Sequence, residues 1–421
     1  MTSVRLRHLA KVGPRPALAH LNAEDAEVTF APMDTLADGP GGLDTSQTRP
    51  VSEVSSGSYN FFADGDLLLA KVTPCFENGK KALAKGLVNG VGFATSEVHV
   101  IRPNTHRIDP RYLFYVLSSE DFRAAGMASM TGAGGLRRVA ESAVLNYRPR
   151  ISDLPTQKAI SAFLDREIAS IDQLIEKKAT FIATLLERES GLVRRLLSGG
   201  KSQHTKQKAA AAPWLQSVPE DWDVVPLRYL VKISTGGRDT QDRTDGGQYP
   251  FYVRSMNVER IDSYSYDEEA VLTSGDGAGV GRVFHYVTGK FELHQRMYAF
   301  TKFKRLSGRY FFHFMKTFFH LQMTQWSAKS TVDSVRMPFL KSMLFAIPPW
   351  TEQEAILKEI DANLHRTSNL IETMDKSIQK LHELRAALIT AAVSGQIDLA
   401  TWRKRGATDR RLDEIREAMH A

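Results

Sequence analysis

Two stretches of the chain share one hydrophobic pattern, and each predicts a long amphipathic helix. From Gln157 to Leu197, and again from Gln353 to Val393, apolar residues recur at alternating steps of three and four. This spacing is typical of the seam of a coiled coil. The predicted seam, in which Lys178 is a polar interruption, consists of Ile160, Leu164, Ile168, Ile171, Ile175, Lys178, Ile182, Leu185, Leu192, Ile356, Ile360, Leu364, Ile371, Met374, Ile378, Leu381 and Leu388.

The second stretch repeats the first at a constant offset of 196 residues, so that Gln157 matches Gln353. At the rise of an α-helix each copy would be about 60 Å long, too long to be buried on all sides in an ordinary domain. The other copy is therefore the expected partner. In an antiparallel pair Lys178 and Met374 would lie near the middle of the paired helices.

The segments between the helices mix short, glycine-punctuated apolar runs with helical stretches, which predicts mixed α/β domains. A short match between Val4–Val12 and Val225–Ile233 indicates that the duplication includes the starts of these domains. We therefore predict an α+β fold: two mixed α/β domains joined by two long helices that form an antiparallel coiled coil, with a pseudo-twofold internal repeat.

The same patterns predict the domain boundaries. We expect a first mixed domain over 1–150, the first long helix over 151–200, a linker over 201–213, a second mixed domain over 214–346, the second long helix over 347–397, and a charged C-terminal tail over 398–421.

Composition narrows the class of protein. The single cysteine, Cys75, excludes a disulfide framework within the chain and a cysteine-rich zinc site. The chain has no apolar run of about 18 residues and no signal-like N-terminus, which predicts a cytoplasmic protein without membrane association. The net charge of +7 favours a polyanionic partner.

The motifs of common catalytic sites are incomplete. Pro348-Pro349-Trp350 is similar to part of the amino-methyltransferase motif, but Ile347 stands where that motif needs Asn or Asp. The glycine-rich run Gly275–Gly281 lacks dinucleotide-binding spacing, so a turn or bent strand is the expected structure. We find no phosphate-binding loop and no metal-spaced histidines, and we predict a chain without catalytic or metal-binding residues.

Four stretches resemble one protein family. Glu77-Asn78-Gly79-Lys80-Lys81 and the run Trp214–Leu227 are similar to the two target-recognition domains in specificity subunits of Type I restriction-modification systems. The helical repeats, with Leu154–Gln157 and Pro348–Gln353 at their starts, resemble the conserved regions of that family.

The resemblance implies a function. Each mixed domain would read one half of a bipartite, asymmetric target in double-stranded DNA, and the paired helices would set the spacing of the halves. The helices would also dock two methyltransferase (modification) subunits and, where one is encoded, a restriction subunit. This subunit would be non-catalytic and hold no cofactor of its own, because S-adenosylmethionine, ATP and Mg are expected on the partner subunits.

Basic and polar residues of the mixed domains are the candidates for DNA contact, because such side chains bind phosphates and base edges. In the first domain they are Lys71, Thr73, Asn78, Lys80, Lys81, Arg137 and Arg138. In the second domain they are Arg254, Asn257, Arg282, Arg296, Lys329 and Ser330. Gly132–Arg138 is predicted to be a flexible basic loop.

Two other functions remain open from the residues alone. A protein-only coiled-coil scaffold would use the helices without binding DNA, and DNA affinity that is absent or insensitive to salt would favour it. A stand-alone DNA methyltransferase or nuclease would need a cofactor or metal site, and tight binding of S-adenosylmethionine or a divalent metal would favour that function.

Overall fold

The computed structural model of the chain describes residues 1–16, 18, 26–37, 42–55, 57–133, 135–201, 206–212, 214–326 and 334–397. The chain divides into two compact units. The first unit is Met1–Lys178 with Asp375–Ala421, and the second unit is Ala179–Met374. Both boundaries fall inside the long helices, at the positions that the sequence places in the middle of the helical repeats.

Long and short helices alternate with strands in both units. The helices are α1 (Val51–Val54), α2 (Pro110–Val116), α3 (Glu120–Ala128), α4 (Glu141–Asn146), α5 (Leu154–Gly199), α6 (Gly308–Trp326), α7 (Met337–Ser342) and α8 (Trp350–Val393). Helices α5 and α8 are the two predicted long helices.

The first unit contains two four-stranded sheets, ordered β2-β9-β6-β7 and β4-β3-β8-β5, and the pairs β1-β12 and β10-β11. Only β3 and β8 run parallel among the paired strands described there. The strands are β1 (Thr2–Ser3), β2 (Ala10–Val12), β3 (Glu27–Ala31), β4 (Thr48–Pro50), β5 (Asn60–Ala63), β6 (Leu67–Ala70), β7 (Lys81–Leu83), β8 (Val91–Ala94), β9 (Val98–Pro103), β10 (Thr131–Ala133), β11 (Leu136–Arg138) and β12 (Arg150–Ile151).

The second unit repeats the topology of the two four-stranded sheets and of the pair β1-β12. Its sheets are ordered β16-β23-β20-β21 and β18-β17-β22-β19, its pairs are β15-β24 and β13-β14, and β17 runs parallel to β22. The strands are β13 (Gln207–Ala212), β14 (Leu215–Pro219), β15 (Asp223–Pro226), β16 (Lys232–Thr235), β17 (Tyr249–Tyr252), β18 (Val258–Ile261), β19 (Tyr266–Asp267), β20 (Ala270–Ser274), β21 (Phe284–Val287), β22 (Lys290–Leu293), β23 (Met297–Thr301) and β24 (Leu344–Ile347).

Each unit buries one half of α5 against the opposite half of α8. In the first unit, Leu164 and Ile168 of α5 share a core with Leu388 of α8. In the second unit, Leu196 of α5 shares a core with Ile356 of α8. The start of one helix therefore packs with the end of the other, which is an antiparallel pairing. The predicted fold class is confirmed, and all the predicted seam residues are buried or half-buried.

Equivalent tyrosines close the two cores in the same way. The Tyr112 hydroxyl donates to the carbonyl of Arg150 and to that of Val393, the last residue of α8, each at 3.2 Å. The Tyr310 hydroxyl donates to the carbonyl of Ala346 at 3.1 Å and to that of Leu197 near the end of α5 at 3.5 Å. Burial raises the pKa of Tyr112 to about 12, so this donor stays protonated.

Buried glutamines fix the start of each long helix. Gln157 accepts from the Asp109 backbone N–H at 2.8 Å and donates to the carbonyls of Ser152 at 2.8 Å and Arg107 at 3.3 Å. In this first glutamine clamp the side chain is fully buried.

The second glutamine clamp repeats these bonds. Gln353 accepts from the Ser307 N–H at 3.1 Å and donates to the carbonyls of Arg305 at 2.9 Å and Pro348 at 3.0 Å. Each clamp ties its helix to the loop before α2 or α6, so the repeat seen in the sequence is a repeat of the same contacts.

The predicted linker 201–213 contains a strand. Gln207–Ala212 pairs antiparallel with Leu215–Pro219, although its polar and alanine-rich sequence predicts a coil. Backbone hydrogen bonds and the burial of Leu215 and Val218 decide the conformation here, not strand propensity. Residues 202–205 and 213, and the predicted tail 398–421, lie outside the described residues.

His313 on α6 gives the second unit a specific dependence on pH. Burial lowers the pKa of His313 to about 4, against the opposing effect of Asp361. The unfolded chain therefore binds more protons between pH 4 and the ordinary histidine pKa of 6.5. We expect the free energy of unfolding to fall by roughly 2 kcal/mol as pH decreases across this window, after allowance for partial exposure.

The matched variant is His313→Tyr, because the equivalent Tyr115 donates to Asp165 at 2.7 Å in the first unit. Urea unfolding at pH 7 and at pH 4.5 measures the effect. The variant should lose less stability on acidification than the wild type, and equal losses in the two proteins would contradict the assignment.

Candidate nucleic-acid interface

In the first unit, the residues predicted to bind DNA meet at the end of β6. The backbone N–H of Thr73 donates to the carbonyl of Arg137 at 2.9 Å, and the N–H of Val139 donates to that of Lys71 at 2.8 Å. The Thr73 hydroxyl donates to Gly135 at 2.8 Å. These bonds hold the hairpin β10-β11 against the loop that follows Ala70, so Lys71, Thr73, Arg137 and Arg138 lie side by side.

The prediction of a loop over Gly132–Arg138 is wrong, since Thr131 pairs with Arg138 and Ala133 with Leu136. Gly132 and Gly135 both have positive φ, at 142° and 82°. Glycine tolerates these angles, which allows the chain to reverse within a short hairpin.

Carboxylates orient both hairpin arginines. Arg138 makes a bidentate pair with Glu97, at 2.9 and 2.8 Å, and Arg137 donates to Glu77 at 3.1 Å. The hydrogen bond from Arg138 lowers the pKa of Glu97 below its usual range. The pair is exposed, so it orients a guanidinium more than it stabilises the fold.

We expect Arg138→Gln to raise the pKa of Glu97 towards that of an exposed glutamate. In the wild type the Arg138–Glu97 pair is fully formed at pH values above the ordinary pKa of glutamate. The pair is lost as the pH falls through the lowered pKa of Glu97. Carbon-13 NMR titration of the Glu97 carboxyl measures this directly. Arg123→Gln, which removes a separate exposed pair with Glu120, should leave the Glu97 titration unchanged, and an unshifted Glu97 in Arg138→Gln would contradict the pairing.

The remaining candidates of the first unit differ in accessibility. Asn78 is exposed in the turn after Phe76. The Lys80 ammonium donates to the carbonyl of Met33 at 3.2 Å. Lys81 is only 8% exposed and donates to Gly79 at 2.9 Å, so in this conformation it does not lie on the accessible surface.

The second unit builds the same backbone frame with other side chains. The backbone N–H of Gly275 donates to the carbonyl of Arg296, and the N–H of Val335 donates to the carbonyl of Gly275, both at 2.8 Å. In the first unit the backbone N–H of Lys71 donates to the backbone carbonyl of Glu97 at 3.0 Å in the same arrangement. The loop after β20 is therefore the structural equivalent of the loop after β6, and Arg296 takes the place of Glu97.

A cluster of opposite charges occupies this second loop. Asp276 accepts from Arg254 Nη1 at 3.0 Å through Oδ1 and from Arg296 Nη1 at 2.9 Å through Oδ2. Gly277–Gly279 forms a 3-10 turn, which agrees with the predicted turn in this glycine-rich run. Two predicted DNA-contact arginines are thus held by one carboxylate.

Two other candidates of the second unit are exposed. Asn257 lies on the loop after β17, and Arg282 lies at the start of the segment that leads into β21. Lys329 and Ser330 lie outside the described residues.

Three acidic residues of these sites were not predicted from the sequence: Glu77, Glu97 and Asp276. Cationic, amide and hydroxyl side chains contact a polyanion directly, so a pattern of such residues does not indicate the carboxylates that hold the cations in place. Asp276 lies in the glycine-rich run, and an acidic residue between two glycines there could have indicated its part in this site.

No group of His, Cys, Asp and Glu in the described part of the chain could hold a metal ion. Among the described residues no helix is both long and apolar enough to cross a membrane.

Comparisons with known proteins show which proteins the chain is similar to. Residues 219–380 match the family described as Type I restriction modification DNA specificity domain. This match covers less than half of the chain. The chain is 32% identical over 195 residues to the Type I restriction enzyme EcoEI specificity subunit of Escherichia coli, a match that covers 46% of the chain. That match spans only about a third of the relative's length, 32%.

Two solved structures share the fold. A chain from a structure of the type I R-M system, concerned with complex assembly and conformational transition, aligns with a TM-score of 0.74 at 15% identity, covering 94% of this chain and 98% of that one. The HsdS subunit from Thermoanaerobacter tengcongensis aligns with a TM-score of 0.53 at 14% identity, covering 94% and 97%. At these identities the likeness to a specificity subunit shows the architecture alone.

Proposed function

We propose that this chain is the DNA-reading specificity subunit of a Type I restriction-modification complex. The observation that carries the proposal is the repeated loop frame: both units hold the same backbone bonds at Lys71 and Gly275 but present different charged side chains. Equivalent frames with different contact groups suit a target whose two halves differ in sequence. The match of residues 219–380 to a DNA specificity domain supports the same function.

In this function the domains over 1–150 and 214–346 each read one half of the target in double-stranded DNA. The residues nearest the two loops contribute the contacts, namely Lys71, Thr73, Asn78, Lys80, Arg137, Arg138, Arg254, Asn257, Arg282 and Arg296. The long helices dock two methyltransferase subunits and, where one is encoded, a restriction subunit. The chain acts in the cytoplasm and performs no chemistry by itself.

Reconstitution tests the proposal. The chain is combined with the modification subunits encoded beside it, and methylation of genomic DNA is mapped at single-molecule resolution with and without the chain. We expect methylation at two short sequence elements separated by a fixed nonspecific spacer, only when all subunits are present. Methylation or cleavage by the purified chain alone, or the same pattern without it, would refute the proposal.

A further inference from the structure

The Arg254–Asp276–Arg296 cluster is more buried, and has more contacts, than an ordinary surface ion pair. The Asp276 side chain is only 24% exposed, although its partners Arg254 and Arg296 are 41% and 57% exposed. Each carboxylate oxygen holds a different guanidinium, at 3.0 and 2.9 Å. One half-buried anion therefore fixes two exposed cations.

The backbone around the cluster is tightly packed. A Cβ atom at Gly279 would lie 2.8 Å from the carbonyl oxygen of Arg254, and one at Gly275 would lie 2.9 Å from that of Arg296. Both distances are shorter than side-chain contacts allow, so these two positions need glycine. The loop can therefore lie directly against both arginine backbones, which fixes where each side chain begins.

The bonds made by Asp276 leave donors on both arginines. A guanidinium has several N–H donors in a planar fork, and each arginine uses only one nitrogen for its contact with the carboxylate. The fork of an arginine matches O6 and N7 of guanine in the major groove, the commonest specific contact between proteins and DNA. Beside Arg296 an open cavity of about 360 Å³, lined also by Gln295, Tyr298 and Arg336, leaves space for a ligand.

The first unit differs at the equivalent positions. Val72 is the structural equivalent of Asp276. Val72 forms a β-bridge to Arg138, before α4, and Asp276 forms one to Ser334, before α7. There Glu97 holds Arg138 and a separate acid, Glu77, holds Arg137. A single carboxylate shared by two arginines is thus a feature of the second loop and not of the common frame.

We propose that Asp276 is a positioning residue that presents Arg254 and Arg296 as a paired reader of guanine in the half of the target bound by the second unit. This inference rests on the proposed function and adds the base class that the second unit selects. Asp276 also neutralises one of the two arginine charges, which weakens the sequence-independent attraction to phosphates. The selectivity therefore comes from the orientation of the arginines and not from their charge.

The test uses the complete complex and duplexes that carry its mapped target. Guanine in the second half is replaced by 7-deazaguanine, which lacks the N7 acceptor, and methylation rates are compared. The wild type should lose about tenfold in rate on the substituted duplex, the lower range for one lost arginine–guanine contact. Asp276→Asn should lose most of this discrimination while still discriminating normally in the first half.

Asp276→Asn removes one negative charge, so binding to DNA that lacks the target should strengthen and become more dependent on salt. The control Asp245→Asn makes the same charge change at an exposed position of the second unit and should leave discrimination intact. A merely structural role for Asp276 would lower activity on both halves together, and that result would overturn the inference.

The inference also fails if the second half of the mapped target contains no guanine, or if Asp276→Asn keeps full discrimination. These results differ from a failure of the proposed function itself, in which the wild-type complex would methylate without any sequence preference.

Discussion

Raising the salt concentration from about 50 to about 200 mM is expected to weaken DNA binding by the assembled complex about a thousandfold. Each phosphate that a lysine or arginine neutralises releases a condensed counterion, so the logarithm of affinity falls linearly with the logarithm of salt concentration. A thousandfold loss corresponds to about six phosphate contacts. The two loop sites and the hairpin β10-β11 contain enough basic side chains for this number.

Fluorescence anisotropy of a labelled duplex at four salt concentrations measures the slope. Arg282→Gln should make the slope shallower by about one unit if Arg282 contacts a phosphate, with the same effect on target and non-target duplexes. Lys11→Gln on β2 makes the same charge change at an exposed position outside both loops and is the control. Affinity that is absent or unchanged by salt would favour the protein-only scaffold over a DNA-reading subunit.

Replacing Gln353 by alanine is expected to lower the free energy of unfolding by about 3 kcal/mol, because a buried donor or acceptor that loses its partner costs about 1–3 kcal/mol. The change would leave the Ser307 N–H and the carbonyls of Arg305 and Pro348 without their side-chain partner. Gln157→Ala should have an effect of the same size in the first unit, where the bonds are repeated.

Urea unfolding measures the loss, and hydrogen exchange identifies the unit that is affected. Exchange should rise at Ser307 in Gln353→Ala and at Asp109 in Gln157→Ala. The matched control is Gln379→Ala, because this glutamine of α8 is exposed and bonds Glu383, at 3.3 Å. It should change stability by less than about 0.5 kcal/mol. If Gln353→Ala behaved like Gln379→Ala, the clamp would not support the fold.

Residues that stabilise the fold and residues that contact DNA should respond differently to substitution. The glutamine clamps and the tyrosines use buried, uncharged bonds that are the same in both units, so their loss should reduce stability without a preference for DNA sequence. The loop clusters are exposed and differ between the units. Their substitution should change recognition with little effect on stability, since exposed ion pairs contribute little to folding.

The sequence by itself determined the repeated elements of this protein. Apolar residues at steps of three and four are sufficient to predict α5 and α8, because a helix of that length must bury a narrow stripe wherever it packs. The short apolar runs between turn residues were sufficient to predict strands in both mixed domains, because buried strands have that pattern.

Tertiary structure alone decided the contacts that connect distant residues. The antiparallel pairing could be proposed from the repeat, but the shared cores and the bonds from Tyr112 to Val393 and from Tyr310 to Leu197 fix which helix end meets which core. The charge clusters were hidden for the same reason. Arg138 with Glu97, and Arg254 and Arg296 with Asp276, come together across strands, and no local pattern encodes a contact whose partners are brought together only by the fold.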